Sequence, residues 1–201
     1  MSLLEVAAVL VSFVAIWLTA ARRMLCWPIN LLACALYFKL FLDVRLYADM
    51  VLQALFGIAI GYGWIAWAAG KDAAGAVIVR PLSPLVAAAG LATGAVGGIG
   101  IGWITSRYTD AALPWMDAAL SSFSLVAQYW TARRHSASWL LWIVVDVLYV
   151  GMFVFKGLLP TAGLYAAMVG LAVLGFIRWR NAQRASGAES RAEPARGDSH
   201  A

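Results

Sequence analysis

Trp139, Trp142, Asp146 and Tyr149 stand at i, i+3, i+7 and i+10 in the sequence. On a helix turning about 100° per residue, that spacing gathers them within roughly an 80° arc. Three aromatic rings then flank one carboxylate inside SASWLLWIVVDVLYVGMFVFK (136–156), a stretch otherwise almost wholly apolar from Trp139 to Phe155. Facing lipid, the carboxylate would cost ~2.5–3.5 kcal/mol, so a polar interior is the expected surrounding. Asp117, Ser121, Ser124 and Gln128 share an arc of roughly 60° by the same arithmetic. Asp49 with Gln53, and Asn30 with Cys34 and Tyr37, form shorter polar stripes.

Polar stripes on apolar helices are expected to face one another across a cavity. Its chemistry follows from the residue types. Aromatic faces stack flat heteroaromatics and attract cations, at roughly 0.5–2 kcal/mol each. A buried carboxylate adds complementary charge, while amides and hydroxyls hydrogen-bond sugar hydroxyls. The expected ligand is a small, cationic, aromatic solute with polar substituents. The candidate solute-binding set is Gln128, Trp139, Trp142, Asp146 and Tyr149, with Asn30, Asp49, Gln53, Asp117 and Ser124. Structural readings stand beside it: Asp146 could pair with Lys39 or a Trp N–H, Trp139 could anchor at the interface, Asp117 could cap its helix or be hydrated, and membrane serines commonly bond to their own backbone.

Other chemistries find little support. His135 and His200 lie outside the apolar segments, and no paired His, metal-ligand cluster or nucleophile–base set is present. A membrane-embedded enzyme is therefore the weaker alternative, and no cofactor or metal is expected. Cys26 and Cys34 share one segment and suggest neither a disulfide nor a metal site. The run Gly94-Ala95-Val96-Gly97-Gly98-Ile99-Gly100 lacks a preceding strand and a following Lys-Ser/Thr, so it is no nucleotide loop.

The elements that must position these side chains are membrane spans. The 201 residues are 63% hydrophobic and 12% charged, against about 25% charged in soluble domains. The mean hydropathy is +0.80. A span needs roughly 20 mostly apolar residues. Seven candidates appear, at 4–21, 24–42, 46–69, 85–104, 111–131, 138–155 and 158–178. The expected fold is an all-α polytopic membrane protein. Glu5 precedes the first apolar run and Arg22–Arg23 follow it, the reverse of a secretory signal, so a retained span is expected. Residues 181–201 are polar and are expected to form a disordered cytoplasmic tail.

Net charge is +5, but Lys and Arg lie between apolar spans rather than on one basic face, so no nucleic-acid partner is expected. Alternate loops collect eleven basic residues on one side and four on the other. Under the positive-inside rule the N-terminus is outside and the C-terminus cytoplasmic.

Residues 46–57, LYADMVLQALFG, match 164–175, LYAAMVGLAVLG, at seven of twelve positions. Arg22-Arg23…Trp27…Tyr37…Phe41 is echoed by Arg133-Arg134…Trp139…Tyr149…Phe153. Spans 1–3 (residues 1–69) and 5–7 (111–180) are therefore expected to be two copies of a three-helix unit, with span 4 in a linking region, 70–110. Three is odd, so the extra crossing leaves the copies parallel. A 3+1+3 arrangement binding solute between repeats near the midplane follows. Gly90, Gly94, Gly98 and Gly102 recur every four residues on span 4, a face suited to close packing.

QYWTARR followed by WLLWIVVDVLYVGMFVFKGLLPTAGLYAAMVGLAVLGF resembles the C-terminal half of the PnuC family of nicotinamide riboside transporters. RLYADMVLQALFGIAIGYGW resembles that family's third span. The resemblance covers roughly 4–180. It implies a 3+1+3 fold related to SWEET sugar transporters and uptake of nicotinamide riboside across the bacterial inner membrane by facilitated diffusion. It also implies pocket roles for Gln128, Trp139, Trp142, Asp146 and Tyr149. The family includes members linked to thiamine, riboflavin and other nucleosides, which stand as alternative substrates. The partners implied are the solute and the lipid bilayer; a homo-oligomer is compatible with the sequence.

Overall fold

The computed structural model describes residues 3–43, 47–70, 77–109, 113–155, 157 and 159–197, with the side chains of 5, 47–49, 160 and 187–197 left aside. Among the described residues seven helices follow one another: α1 (Leu3–Ala20), α2 (Cys26–Asp43), α3 (Tyr47–Ala68), α4 (Pro84–Tyr108), α5 (Pro114–Ala132), α6 (Ser138–Phe155) and α7 (Leu159–Gly197). Five are long and apolar enough to cross a membrane: α2, α3, α4, α6 and α7. The apolar run of α1 is shorter, Val6–Ala20. Helix α5 interrupts its apolar sequence with the polar stripe from Asp117 to Thr131. Large apolar side chains such as Ile58, Ile65 and Val96 point outward, each at least 70% exposed, as lipid-facing positions do.

Prolines start helices here. Pro28 sits in the first turn of α2, and Pro84 and Pro114 open α4 and α5, where a missing N–H leaves no bond unmade. Ser83 caps α4, its hydroxyl accepting from the Val86 N–H. Helix α7 continues through residue 197. That departs from the expectation of disorder from 181 onward. Ala, Arg, Gln and Glu, which dominate the stretch, are polar yet strong helix formers.

Six helices pack in a ring, each against its neighbours in the order α1, α2, α3, α5, α6, α7 and back to α1. Among the described residues α4 stands outside the ring, against α5 alone. The glycine face makes this approach close. A Cβ on Gly90, Gly94 or Gly102 would run into the rings of Trp130, Phe123 or Trp115, and one on Gly98 would reach the Ala119 backbone at 3.1 Å.

Both α1 and α5 end the same way. The Arg22 N–H donates to the Thr19 carbonyl and Arg23 N–H to that of Leu18; Arg134 donates to Thr131 and His135 to Trp130. Each helix therefore closes on a left-handed residue, Arg22 at φ 55° and Arg134 at φ 66°, where glycine is usual. The arginine side chains explain the exception. Arg22 Nη1 donates to the Val77 carbonyl at 3.2 Å, and Arg134 Nη1 donates to that of Gly70. The two guanidiniums thus hold the α3–α4 connection, whose Val77 and Val79 are buried under the bundle.

Candidate solute site

The ring encloses a cavity of about 230 Å³. Of the residues singled out from sequence, Asn30, Gln53, Gln128, Trp139, Trp142 and Asp146 line it, as do Cys34 and Tyr37 from the α2 stripe. Helix periodicity delivers this. Asn30, Cys34 and Tyr37 lie on the inward side of α2, and Trp139, Trp142 and Asp146 on that of α6.

Three expected residues are not brought to the wall, and the side chain of a fourth is not described. Ser124 is buried, its hydroxyl donating to the Leu120 carbonyl one turn back at 2.8 Å. Tyr149 turns into an aromatic group with Tyr165 (4.7 Å between ring centres) and Phe153 (6.0 Å). Asp117, in the first turn of α5, is exposed. The Asp49 side chain lies outside the described residues.

Asp146 is 7% exposed and borders the cavity. Among the described residues no cation pairs with it. Lys39 pairs with Asp43 instead, one turn along α2. Nor does any described Lys or Arg line the cavity. The Trp142 indole N–H donates to Thr131 Oγ1 at 3.3 Å, and Asn30 Nδ2 donates to Thr19 Oγ1 at 3.4 Å. These bonds fix the orientation of two wall residues from opposite sides of the ring.

Sequence reasoning left out Ser12, Thr19, Trp27, Phe56, Thr131 and Met168, all of which line the cavity. A signal for them existed. Thr19, Trp27 and Asn30 stand 112 residues before Thr131, Trp139 and Trp142, and each pair occupies corresponding places in the wall. The bounds of α2 and α6 differ by the same 112, as do the starts of α3 and α7.

The LYAxMV match puts α3 and α7 in a different register, 118 residues apart. The structure sets them at 112. Gly63 and Gly175 lie against the Trp27 and Trp139 rings, and Phe56 and Met168 face the cavity. Six extra residues separate α6 from the second LYAxMV copy, so that motif falls later in its helix. The Arg-Arg echo shifts too: Arg22 corresponds to Arg134, not Arg133.

Comparison with known proteins adds the context. The sequence pattern of the nicotinamide mononucleotide transporter family matches residues 2–181. The chain belongs to this family. Similar proteins include the nicotinamide riboside transporter PnuC of Escherichia coli, 23% identical over 215 residues, covering 94% of this chain and 90% of the relative. The riboflavin/roseoflavin transporter RibM of Streptomyces davaonensis is 28% identical over 161 residues, 79% of this chain and 75% of the relative. PnuC of Neisseria mucosa is 29% identical over 167 residues, 75% and 61%. The crystal structure of the vitamin B3 transporter PnuC shares the fold, with a TM-score of 0.73 at 22% identity over 90% of this chain and 82% of that one. The protein is thus a multi-pass membrane protein of a transporter family, not an enzyme.

Proposed function

We propose that this chain carries nicotinamide riboside across a bacterial inner membrane by facilitated diffusion, binding it in the cavity bordered by Asp146. The observation that carries the reading is a buried carboxylate that pairs with no cation among the described residues, sharing a cavity wall with Trp139, Trp142 and the amides of Asn30, Gln53 and Gln128. A pyridinium ring supplies the missing positive charge and a flat face for the indoles. Ribose hydroxyls suit the amides.

The same wall argues among the substrates named for relatives. A mononucleotide brings a phosphate, which Asp146 repels and no lining Lys or Arg compensates. The uncharged riboflavin ring leaves Asp146 unpaired. At about 230 Å³ the cavity is smaller than the roughly 300–1,000 Å³ of drug-sized sites, which favours one heterocycle with one sugar. Thiamine, also a flat cation, is the competing ligand.

The offset of 112 residues supports two parallel three-helix repeats, α1–α3 and α5–α7, with α4 restoring orientation between them. Arg22, Arg23, Arg80, Arg133, Arg134 and Arg178 cluster at one end, supporting an outside N-terminus and cytoplasmic C-terminus. The Lys71, Arg45 and Lys156 that also entered the charge count lie outside the described residues.

The test is a fluorescence titration of the purified protein with nicotinamide riboside, thiamine, riboflavin and nicotinamide mononucleotide, followed by flux into proteoliposomes. Saturable quenching by nicotinamide riboside at the lowest concentration, and flux without an ion gradient, are expected. Flux that needs a proton gradient would reject uniport and recast Asp146 as a proton carrier.

A further inference from the structure

At the Arg-rich end the cavity stops at a layer of four buried indoles. Trp27, Trp67, Trp179 and Trp139 follow one another at ring-centre distances of 5.1, 5.6 and 5.6 Å. All are at most 3% exposed, and Val77 and Val79 of the α3–α4 connection join the same buried cluster. The layer is built from equivalents: Trp27 with Trp139 and Trp67 with Trp179 are each 112 residues apart.

Its hydrogen bonds cross between the two triplets. Trp67 on α3 donates through Nε1 to the Thr131 carbonyl of α5 at 3.1 Å, and Trp179 on α7 donates to the Thr19 carbonyl of α1 at 3.2 Å. Those carbonyls also accept the N–H of Arg134 and Arg22, so each lies in the last turn before the left-handed residue. α3 contacts α5 and α7 contacts α1 at the two seams of the ring.

We propose that these crossed bonds, Trp67 to Thr131 and Trp179 to Thr19, form a two-part latch closing the pathway toward the Arg-rich side, and that solute leaves there only when both seams part. Two features make the layer separable. It is held by two edge-on ring contacts, one tilted one and two indole hydrogen bonds, while the Trp27 and Trp139 N–H groups within it find no acceptor among the described residues. Opening hydrates those idle donors and offsets part of the loss. The latch also senses the cavity. The threonines whose carbonyls receive the indoles present their hydroxyls to Asn30 and Trp142 in the wall, so a solute that moves either side chain bears on the seam.

The inference rests on the transporter reading, and its test is independent of the solute. Cys34 lines the cavity and Cys26 is fully buried, so Cys26→Ala leaves Cys34 as the reporter thiol. In that background, Trp67→Phe and Trp179→Phe keep a ring and remove the donor. Modification of Cys34 by a membrane-impermeant thiol reagent is timed from each membrane face separately, in spheroplasts and in inverted vesicles. From the Arg-rich face each variant is expected to react about fivefold faster, the shift that one lost hydrogen bond supplies. From the other face no acceleration is expected. Equal rates in parent and variants from the Arg-rich face overturn the latch. Should either phenylalanine variant fail to fold, benzothienylalanine at the same position removes the N–H with the bicyclic shape kept, and the same two outcomes decide. Failure of nicotinamide riboside to bind the parent counts against the proposed substrate and leaves the thiol result standing.

Discussion

Among the described residues one carboxylate borders the cavity, and the proposed ligand class rests on it. Asp146 lies at the cavity wall, and Lys39, the cation the sequence offered as its partner, is engaged with Asp43. Replacing Asp146 by Asn keeps shape and hydrogen bonding while removing the charge. Nicotinamide riboside binding is expected to weaken about ten- to a hundredfold, about 1.4–2.8 kcal/mol. Binding of a neutral heteroaromatic at the same wall should hardly change, and paired calorimetric titrations of parent and variant check the difference. Arc arithmetic from sequence placed Trp139, Trp142 and Asp146 together because a helix fixes angular spacing. It could not see that Tyr149, on the same arc, lies further along and meets Tyr165 instead. Asp117 and Ser124 share an arc with Gln128, yet only Gln128 lines the cavity, since depth along α5 and local backbone bonding decide the others.

The glycines of α4 carry a contrast that one helix can test. Gly98 sits over the Ala119 backbone of α5, whereas a Cβ on Gly100 meets nothing within 4 Å. Gly98→Val is expected to cost about 1–3 kcal/mol through overpacking against main chain that cannot step aside. Gly100→Val should be close to neutral. Thermal unfolding in detergent separates them. The four-residue spacing told which face of α4 would pack closely; that α5 is its partner came from the tertiary structure. The paired helix ends were harder to read. An arginine at a left-handed position has no sequence signature of its own, and its reason is a carbonyl many residues away.

Across the whole molecule, the α3–α4 connection binds the Arg-rich end into one unit. Arg80 N–H donates to the Arg134 carbonyl at 2.9 Å, and His135 Nδ1 lies 3.0 Å from the Pro81 carbonyl, which requires a protonated Nδ1 on a neutral or charged ring. Burial, aided by the nearby Arg133 and Arg80 charges, lowers the His135 pKa below its ordinary 6.5, against the raising influence of the ring's interactions with the Arg80 and Pro81 backbone. A lowered folded-state value means the unfolded chain takes up the proton first. The stability contributed by neutral His135 is therefore present above pH 6.5 and is lost as pH falls through the depressed value. Melting temperatures measured from pH 7.5 to 5 should fall for the parent. The fall should be shallower for His135→Gln, and identical slopes would remove His135 from the account.

Sequence alone determined the helical membrane class, the number of helices, the glycine face of α4 and the inward stripes of α2 and α6. Each follows from composition or from a period, which are properties a helix has before it meets a partner. The tertiary structure decided the ring order, the register of α3 against α7, and the indole layer that ends the cavity. Those depend on which helix lies beside which, and at what height. The LYAxMV identity could not supply that, because packing places Gly63 and Gly175 beneath their tryptophans six residues away from where matching letters would put them.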